Sequence, residues 1–309
     1  MNYAIVDLGS NTVRLSVYNI LPSGGFELLF SEKEMAGLVN YISDGVLTRE
    51  GIDRACGVLM DFRAVLRQFG MEEMRVFATA SLRNIRNTEE AVATIRRRVG
   101  TEVDVVPGDV EAELGYFGAL QSTDLRSGAM FDIGGGSTEI VEVREGRILR
   151  AQSFPIGSLN LFSRHVSKIW PKSEELAAIR RDIRQALRGA HLPTGAAEHI
   201  CGVGGTARAV LKIANAYYKR GPENRSMTAK ELEELTEALL KKNRQARKLI
   251  LNACPDRIHT ILPGILLMNA GVCGDLHDRR GSSFPGQPEQ SGRNRCGSFG
   301  KGLLYRQVQ

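Results

Sequence analysis

The sequence predicts an α/β protein made of two related lobes that face one another. Two observations carry this. Short apolar strands alternate with helical segments over most of the chain, the pattern of layered α/β architectures. A strand ending in Asp, followed by a glycine-containing turn with Ser and a second strand, occurs twice about 125 residues apart: at Ile5-Val6-Asp7-Leu8-Gly9-Ser10 and at Phe131-Asp132-Ile133-Gly134-Gly135-Gly136-Ser137. A repeated turn of this kind weighs more than either copy alone. The length, 309 residues, fits two domains at roughly 150 residues each.

The elements follow in order. Tyr3 to Val6 reads as a buried strand ending at Asp7, Gly9-Ser10-Asn11-Thr12 as a polar turn, and Val13 to Ile20 as a second strand. Pro22 to Gly25 turns the chain into a third strand near Phe26 to Phe30. Ala55, Leu59, Phe62 and Leu66 keep helical spacing from Ile52 onward. Val76 to Ala78 is a buried strand, and Thr88 is the expected cap of a helix with Glu89 and Glu90 in its first turn. A short strand at Val103 to Val106 leads to a helix over Glu111 to Leu120. After the second copy of the turn, Thr138 to Val143 is a strand, and Ser173 is the expected cap of an amphipathic helix through Leu187. Thr228 and Glu231 form a capping box ahead of Leu232, Leu235 and Leu239. From Gly274 to Gly300 there is almost no periodicity, and the segment reads as loop.

Composition narrows the function. A 42% apolar fraction supports a core without disulfides or a metal staple, and 25% charged residues is ordinary for a folded protein. Lys and Arg outnumber Asp and Glu 41 to 35, a net charge of +6 that leans toward anionic partners. Five cysteines without a C-x-x-C pair suit a reducing compartment, and five scattered histidines show no zinc spacing. No signal peptide is read at the N-terminus, and the longest apolar stretch, Ile261 to Met268, is interrupted by Pro263-Gly264 and too short to span a bilayer. The expected location is the cytoplasm. Basic runs at Arg96-Arg97-Arg98 and from Lys241 to Lys248 read either as solvated faces or as tracks for a polyanion.

Three glycine-rich turns carry the chemistry: Gly9-Ser10-Asn11, Gly134-Gly135-Gly136-Ser137 and Gly204-Gly205-Thr206. Glycines let the backbone approach a ligand, and successive amides make anion-binding nests. The third turn opens an apolar helix, whose dipole adds to the attraction for an anion. Known alternatives fail on spacing: no P-loop, no G-x-G-x-x-G after the first strand and no G-x-S-x-G elbow is present. Asp7 and Asp132, at strand ends beside these turns, are placed either to hold Mg²⁺ with phosphate and water as co-ligands or to cap the turns' own amides. Glu139 follows Asp132 by seven residues and returns along the next strand. Glu111 opens a helix, and Arg83 follows a strand from which it could fork onto phosphate oxygens.

The segments Ile5-Val6-Asp7-Leu8-Gly9-Ser10-Asn11, Ala78-Thr79-Ala80-Ser81-Leu82-Arg83-Asn84, Gly108-Asp109-Val110-Glu111-Ala112, Asp132-Ile133-Gly134-Gly135-Gly136-Ser137-Thr138-Glu139 and Gly204-Gly205-Thr206 occur in the order of a known family. Together they make the chain, over roughly residues 3 to 270, resemble the exopolyphosphatase/guanosine pentaphosphate phosphatase (Ppx/GppA) family of the acetate kinase–sugar kinase–Hsp70–actin superfamily. The resemblance implies two ribonuclease-H-like (actin-like ATPase) domains with an active-site cleft between them, in the short two-domain form. The expected division is 1–122 and 123–309, with 274–300 irregular and the last residues packing back on the first domain.

It further implies Mg²⁺-dependent hydrolysis, with Mn²⁺ as a substitute, of the terminal phosphoanhydride of inorganic polyphosphate or of the 5′ γ-phosphate of pppGpp. The alternative is a non-hydrolysing sensor of polyphosphate or (p)ppGpp. On this resemblance Asp132, Glu139 and Asp7 anchor the metal. Ser10, Asn11, Gly134, Gly135, Gly136, Ser137, Gly204, Gly205 and Thr206 cradle phosphates, Arg83 neutralises one near the scissile bond, and Glu111 orients or deprotonates the attacking water. A homodimer is expected, and neither a nucleic acid nor a membrane is an expected partner. Two departures stand out. Val110 precedes Glu111 where members often carry a second Glu, and Glu113 is the fallback for Glu111. Gly300-Lys301-Gly302-Leu303-Leu304 stands where the family has a Gly-Arg-Glu-Gly-like turn after a strand, and here no strand is read before it.

Overall fold

Hydrophobic strands that recur in the same order in each half of the chain fold into two mixed sheets. A computed structural model describes residues 1–188, 190, 199–273 and 303–304. The first sheet begins as an antiparallel meander of β1 (Asn2–Leu8), β2 (Val13–Ile20) and β3 (Phe26–Glu34). A small hairpin, β4 (Ile42–Ser43) and β5 (Val46–Leu47), leads into α1 (Arg49–Gln68). Then β6 (Arg75–Ala78) pairs parallel to β1; α2 (Ala80–Arg83) and α3 (Thr88–Val99) precede β7 (Val103–Val105), parallel to β6. The order is β3-β2-β1-β6-β7.

After α4 (Gly108–Leu120) the grammar restarts: β8 (Gly128–Ile133), β9 (Thr138–Arg144) and β10 (Arg147–Phe154) form a second meander. Helices α5 (Ser158–His165) and α6 (Ser173–Ala186) lead to β11 (Ile200–Val203), which pairs parallel to β8 as β6 does to β1. Next come α7 (Gly204–Tyr217), β12 (Ser226–Met227), α8 (Ala229–Leu240), α9 (Arg244–Ala253) and α10 (Ile261–Cys273). Finally β13 (Leu303–Leu304) lies parallel to β11 and antiparallel to β12, giving the order β10-β9-β8-β11-β13-β12. Leu303 and Leu304, expected in a turn, thus supply strand backbone to the second sheet. The expected loop 274–300 and residues 305–309 lie outside the described residues.

Local chemistry explains the element ends and several differences from expectation. The capping box at α8 is present: Thr228 Oγ1 accepts from the Glu231 amide at 3.1 Å and Glu231 Oε2 accepts from the Thr228 amide at 2.8 Å. Thr88 is the first residue of α3 rather than its cap, because its hydroxyl donates backward to the Leu82 carbonyl at 2.6 Å. Ser173 likewise begins α6, and Lys172 holds the cap position with its amide bonded to Glu175 Oε2 at 2.7 Å. Pro263 does not interrupt the apolar stretch, since it falls in the first turn of α10, where a missing amide costs no helical bond. Strand β10 and helix α5 have no clear signal in the sequence: β10 is a half-exposed edge strand without apolar alternation, and α5 is only eight residues long.

Three cores result. Val6, Leu8, Leu15 and Val76 of the first sheet pack against Leu59, Phe62 and Ile95 of α1 and α3. Phe131, Ile133 and Ile140 of the second sheet pack with Ile179, Val210, Leu235 and Ile265 from its helices. The third core places α4 across the second sheet, with Ala112, Tyr116 and Ala119 against Met130, Val141 and Val203. So the helix that follows the first sheet's last strand in sequence rests on the other lobe, and whatever it carries is held between them. Among the described residues no helix is long and apolar enough to cross a membrane. Within the two basic runs, Arg96 pairs with Glu102, Arg98 with Asp53, and Lys242 Nζ donates to the Pro171 carbonyl at 2.7 Å. Ile265 is fully buried in α10, and Ile265→Ala is expected to lower unfolding free energy by about 2–5 kcal/mol in urea titration.

Candidate active site

The repeat brings its two turns into contact. In each copy the first glycine amide bonds a carbonyl three residues on: Gly9 to Thr12 at 3.2 Å and Gly134 to Ser137 at 2.9 Å. The turns then meet across the lobes. Gly136 is required to be bare at this point, since a Cβ would stand 2.5 Å from Ser10 Oγ. The Ser10 and Asn11 carbonyls accept from the Val39 and Gly37 amides, which fixes the first turn to the loop after β3. The Gly134 and Gly135 carbonyls accept from the amides of Ser158 and Leu159 at the start of α5, which fixes the second. Among the described residues no protein acceptor takes the amides of Gly135, Gly136 or Ser137, so these remain available to an anion.

A cavity of ≈ 290 Å³ opens where the turns meet. Of the expected residues, Asp7, Ser10, Asn11, Glu111, Asp132, Gly134, Gly135, Gly136, Ser137, Glu139, Gly204 and Gly205 all line it. Gly204 opens α7 with φ +77°, a left-handed conformation suited to glycine, and a Cβ there would collide with the Asp132 carboxylate. Thr206 and Arg83 do not line the cavity. The Thr206 hydroxyl is turned into the protein and donates to the Ile133 carbonyl at 2.8 Å, tying α7 to the end of β8. Arg83 Nη1 donates to Glu111 Oε2 at 2.6 Å and to the Val106 carbonyl at 2.9 Å, and Nη2 donates to Ser153 Oγ at 3.0 Å. Its guanidinium is therefore committed to protein acceptors, Glu111 first among them. The fallback Glu113 lies about 200° further round the same helix and is exposed.

Four carboxylates, Asp7, Glu111, Asp132 and Glu139, converge on this cavity. Burial first, then the charges of Glu111 and Asp132, push Glu139 up to about 8. Burial and Glu111 raise Asp132 to about 6. Asp7 is raised to about 6 by surrounding protein and then by Glu111 and Asp132, while Arg14 opposes the shift. The donors are all oxygens, which suits a hard cation such as Mg²⁺ or Mn²⁺. Among the described residues no group of three or more His, Cys, Asp or Glu side chains is arranged to hold a metal by itself. Such an ion would therefore draw on water and phosphate oxygens as well, as Mg²⁺ commonly does.

Four cations that the sequence reading missed also line the cavity: Arg14, Lys33, Arg208 and Arg257. Burial, then the like charges of Arg14 and Arg257, lowers the pKa of Arg208, and burial followed by Arg257 lowers that of Lys33. Cations that repel one another beside a cavity favour a polyvalent anion between them. Arg14 was legible from the repeat. It pairs with Asp7 across β1 and β2 as Glu139 pairs with Asp132 across β8 and β9. Arg208, one helical turn after Gly204 in α7, was legible from the helix that the third turn opens. Arg257 stands in an irregular turn after Cys254-Pro255 and Lys33 near the end of an exposed strand, and neither position carries a periodic signal.

Fold and site together define a two-lobed α/β protein whose lobes repeat one topology and meet at a cleft lined by acids and cations. The sequence profile of the Ppx/GppA phosphatase family matches residues 16–274, and this chain belongs to that family. Exopolyphosphatase 1 of Mycobacterium tuberculosis is 25% identical over 280 residues, covering 88% of this chain and 81% of the relative. Exopolyphosphatase 2 of the same organism is 26% identical over 295 residues, 90% of this chain and 92% of the relative. The crystal structure of an exopolyphosphatase from Cytophaga hutchinsonii superposes with a TM-score of 0.72 at 24% identity, covering 87% of this chain and 89% of that one. An Aquifex aeolicus Ppx/GppA family member superposes with a TM-score of 0.67, covering 88% and 89%. At these identities the structures establish the fold.

The raised acids set a pH dependence. Glu139 holds its proton to about 8 in the folded protein against an ordinary value of 4.5. The folded state thus binds more protons across that interval, so its stability falls as pH rises through it. Glu139→Gln is expected to raise the melting temperature of metal-free protein at pH 8, with the difference from wild type vanishing near pH 4. Parallel thermal melts across that range check it.

Proposed function

We propose that this chain hydrolyses terminal phosphoanhydride bonds in the cleft, releasing phosphate from inorganic polyphosphate and, as a second substrate, from the 5′ end of pppGpp. The observation that carries the reading is the meeting of two opposed charge groups in one cavity. Asp7, Asp132, Glu139 and Glu111 line it together with Arg14, Lys33, Arg208 and Arg257. A chain of phosphates needs cations along its length and a neutralised, oriented terminal group where it is cut. The names of the mycobacterial relatives point to the same substrate.

In this reading the amides of Gly135, Gly136 and Ser137 and the start of α7 take the terminal phosphoryl oxygens, while the four cations hold the phosphates behind it. Glu111, held by Arg83, orients a water and accepts its proton as the water oxygen bonds to the terminal phosphorus. The bridging P–O bond breaks, and its electron pair leaves with the shortened chain. Asp132 and Glu139, with Asp7 across the cleft, would hold Mg²⁺, which when bound neutralises phosphoryl charge. Beyond the proton that Glu111 accepts, hydrolysis asks the protein for positioning and electrostatics, which is what these residues offer.

Purified protein with Mg²⁺ is expected to release phosphate from long-chain polyphosphate and from pppGpp, and not from ATP. Glu111→Ala is expected to lower kcat by about 10²–10⁴-fold while leaving substrate binding in place. Binding of polyphosphate or pppGpp with no release from wild type would mark a sensor instead and overturn the hydrolase.

A further inference from the structure

Ser153 lies on β10 directly opposite Glu139 on β9, so the two side chains share one face of the sheet. Its hydroxyl makes two contacts of fixed polarity. Ser153 Oγ donates to Glu139 Oε1 at 2.7 Å and accepts from Arg83 Nη2 at 3.0 Å. Arg83 in turn donates to Glu111 Oε2 at 2.6 Å. One hydroxyl therefore joins Glu139 on the second sheet to Arg83 of the first lobe and, through it, to Glu111 on α4. A residue without an Oγ breaks both links at once, since a hydroxyl is a donor and an acceptor in the same atom.

A second contact at the same residue is steric. Gly108, the first residue of α4, lies so close to Ser153 that a Cβ on it would stand 2.6 Å from Ser153 Cβ. The start of α4 rests on Ser153, and Glu111 follows three residues on, close to one helical turn. The height of that contact sets how far the helix carrying Glu111 stands from the strand pair carrying Glu139.

The geometry points to Ser153 as a positioning residue for the cleft: its hydroxyl and its seat under Gly108 fix Glu111 and Glu139 relative to one another. Nothing in the sequence marks it, since it stands in an edge strand outside every glycine-rich turn. The inference rests on the hydrolase reading above and on Glu139 as a metal-holding residue, but its test reads binding as well as turnover.

Ser153→Ala and Gly108→Ala are the variants. Alanine fits a strand edge and is favoured within a helix, so both should fold. Ser153→Ala is expected to lower kcat by about 10–100-fold, the usual cost of removing a group that orients a metal-holding side chain. KM for polyphosphate should stay within about twofold. The Mg²⁺ concentration giving half of its stabilisation in thermal melts should rise by a similar 10–100-fold. Gly108→Ala keeps the hydroxyl but wedges α4 away from β10, and is expected to lower kcat with KM unchanged. If wild type turns over and both variants match it in kcat and in Mg²⁺ midpoint, the inference is wrong and the hydrolase reading stands. A fall in melting temperature alone would make Ser153 a structural residue and overturn its positioning role. A wild type that neither releases phosphate nor is stabilised by Mg²⁺ brings down both readings.

Discussion

Burial of Asp7, Asp132 and Glu139 beside one another and beside Glu111 is the constraint on which the rest of the structure turns. Carboxylates taken out of bulk water, and then placed near other carboxylates, resist ionising, and these three are displaced upward by burial first and by their acidic neighbours second. Such a cluster works against folding at neutral pH and persists only where the surrounding structure leaves its members no alternative place. Here each is fixed by a different device. Asp7 and Asp132 stand in the paired registers of β1 and β8, Glu139 is locked opposite Asp132 on β9, and Glu111 rides on a helix that packs on the far lobe. The cores of both lobes serve to keep these positions, and the result is a site whose strain a bound cation would relieve.

The duplication explains both the likeness and the difference of the two walls. Each half supplies the same meander, the same amide-to-carbonyl turn and an Asp at the same register. At the next equivalent position the halves diverge: Arg14 in the first, Glu139 in the second. That exchange of charge type at matched positions breaks the symmetry of the scaffold, and the cleft carries both cation-binding and anion-binding groups. Catalysis of phosphoryl transfer needs that asymmetry, because the reacting group and the chain behind it carry charge that must be met in different places.

Much of this was legible in the sequence, and the reasons are local. The turns at Gly9 and Gly134 were visible because glycine and Asp at strand ends leave a dense trace, and the capping box of α8 because its two partners sit three residues apart. Long periodic helices such as α1 were plain for the same reason. What escaped depends on tertiary placement. Arg83 reads as a phosphate ligand from its position after a strand, yet its guanidinium is directed by Glu111, Val106 and Ser153, all brought to it by folding. Arg257 and Lys33 come to the cleft from irregular or exposed backbone. Ser153 acquires its place only when β10 pairs with β9, and β10 itself carries no alternation to announce it.

The central claim is that acids and cations in the cleft act together on one metal-bound phosphoanhydride. Imidodiphosphate, whose bridging nitrogen replaces the scissile oxygen, separates binding from turnover. Calorimetric titration of the protein with imidodiphosphate, with and without Mg²⁺, is the direct test. The account predicts binding at least about tenfold tighter with Mg²⁺, a coupling of about 1.4 kcal/mol, and loss of that coupling in Asp132→Asn. Equal affinity with and without Mg²⁺, or coupling that survives Asp132→Asn, would contradict it.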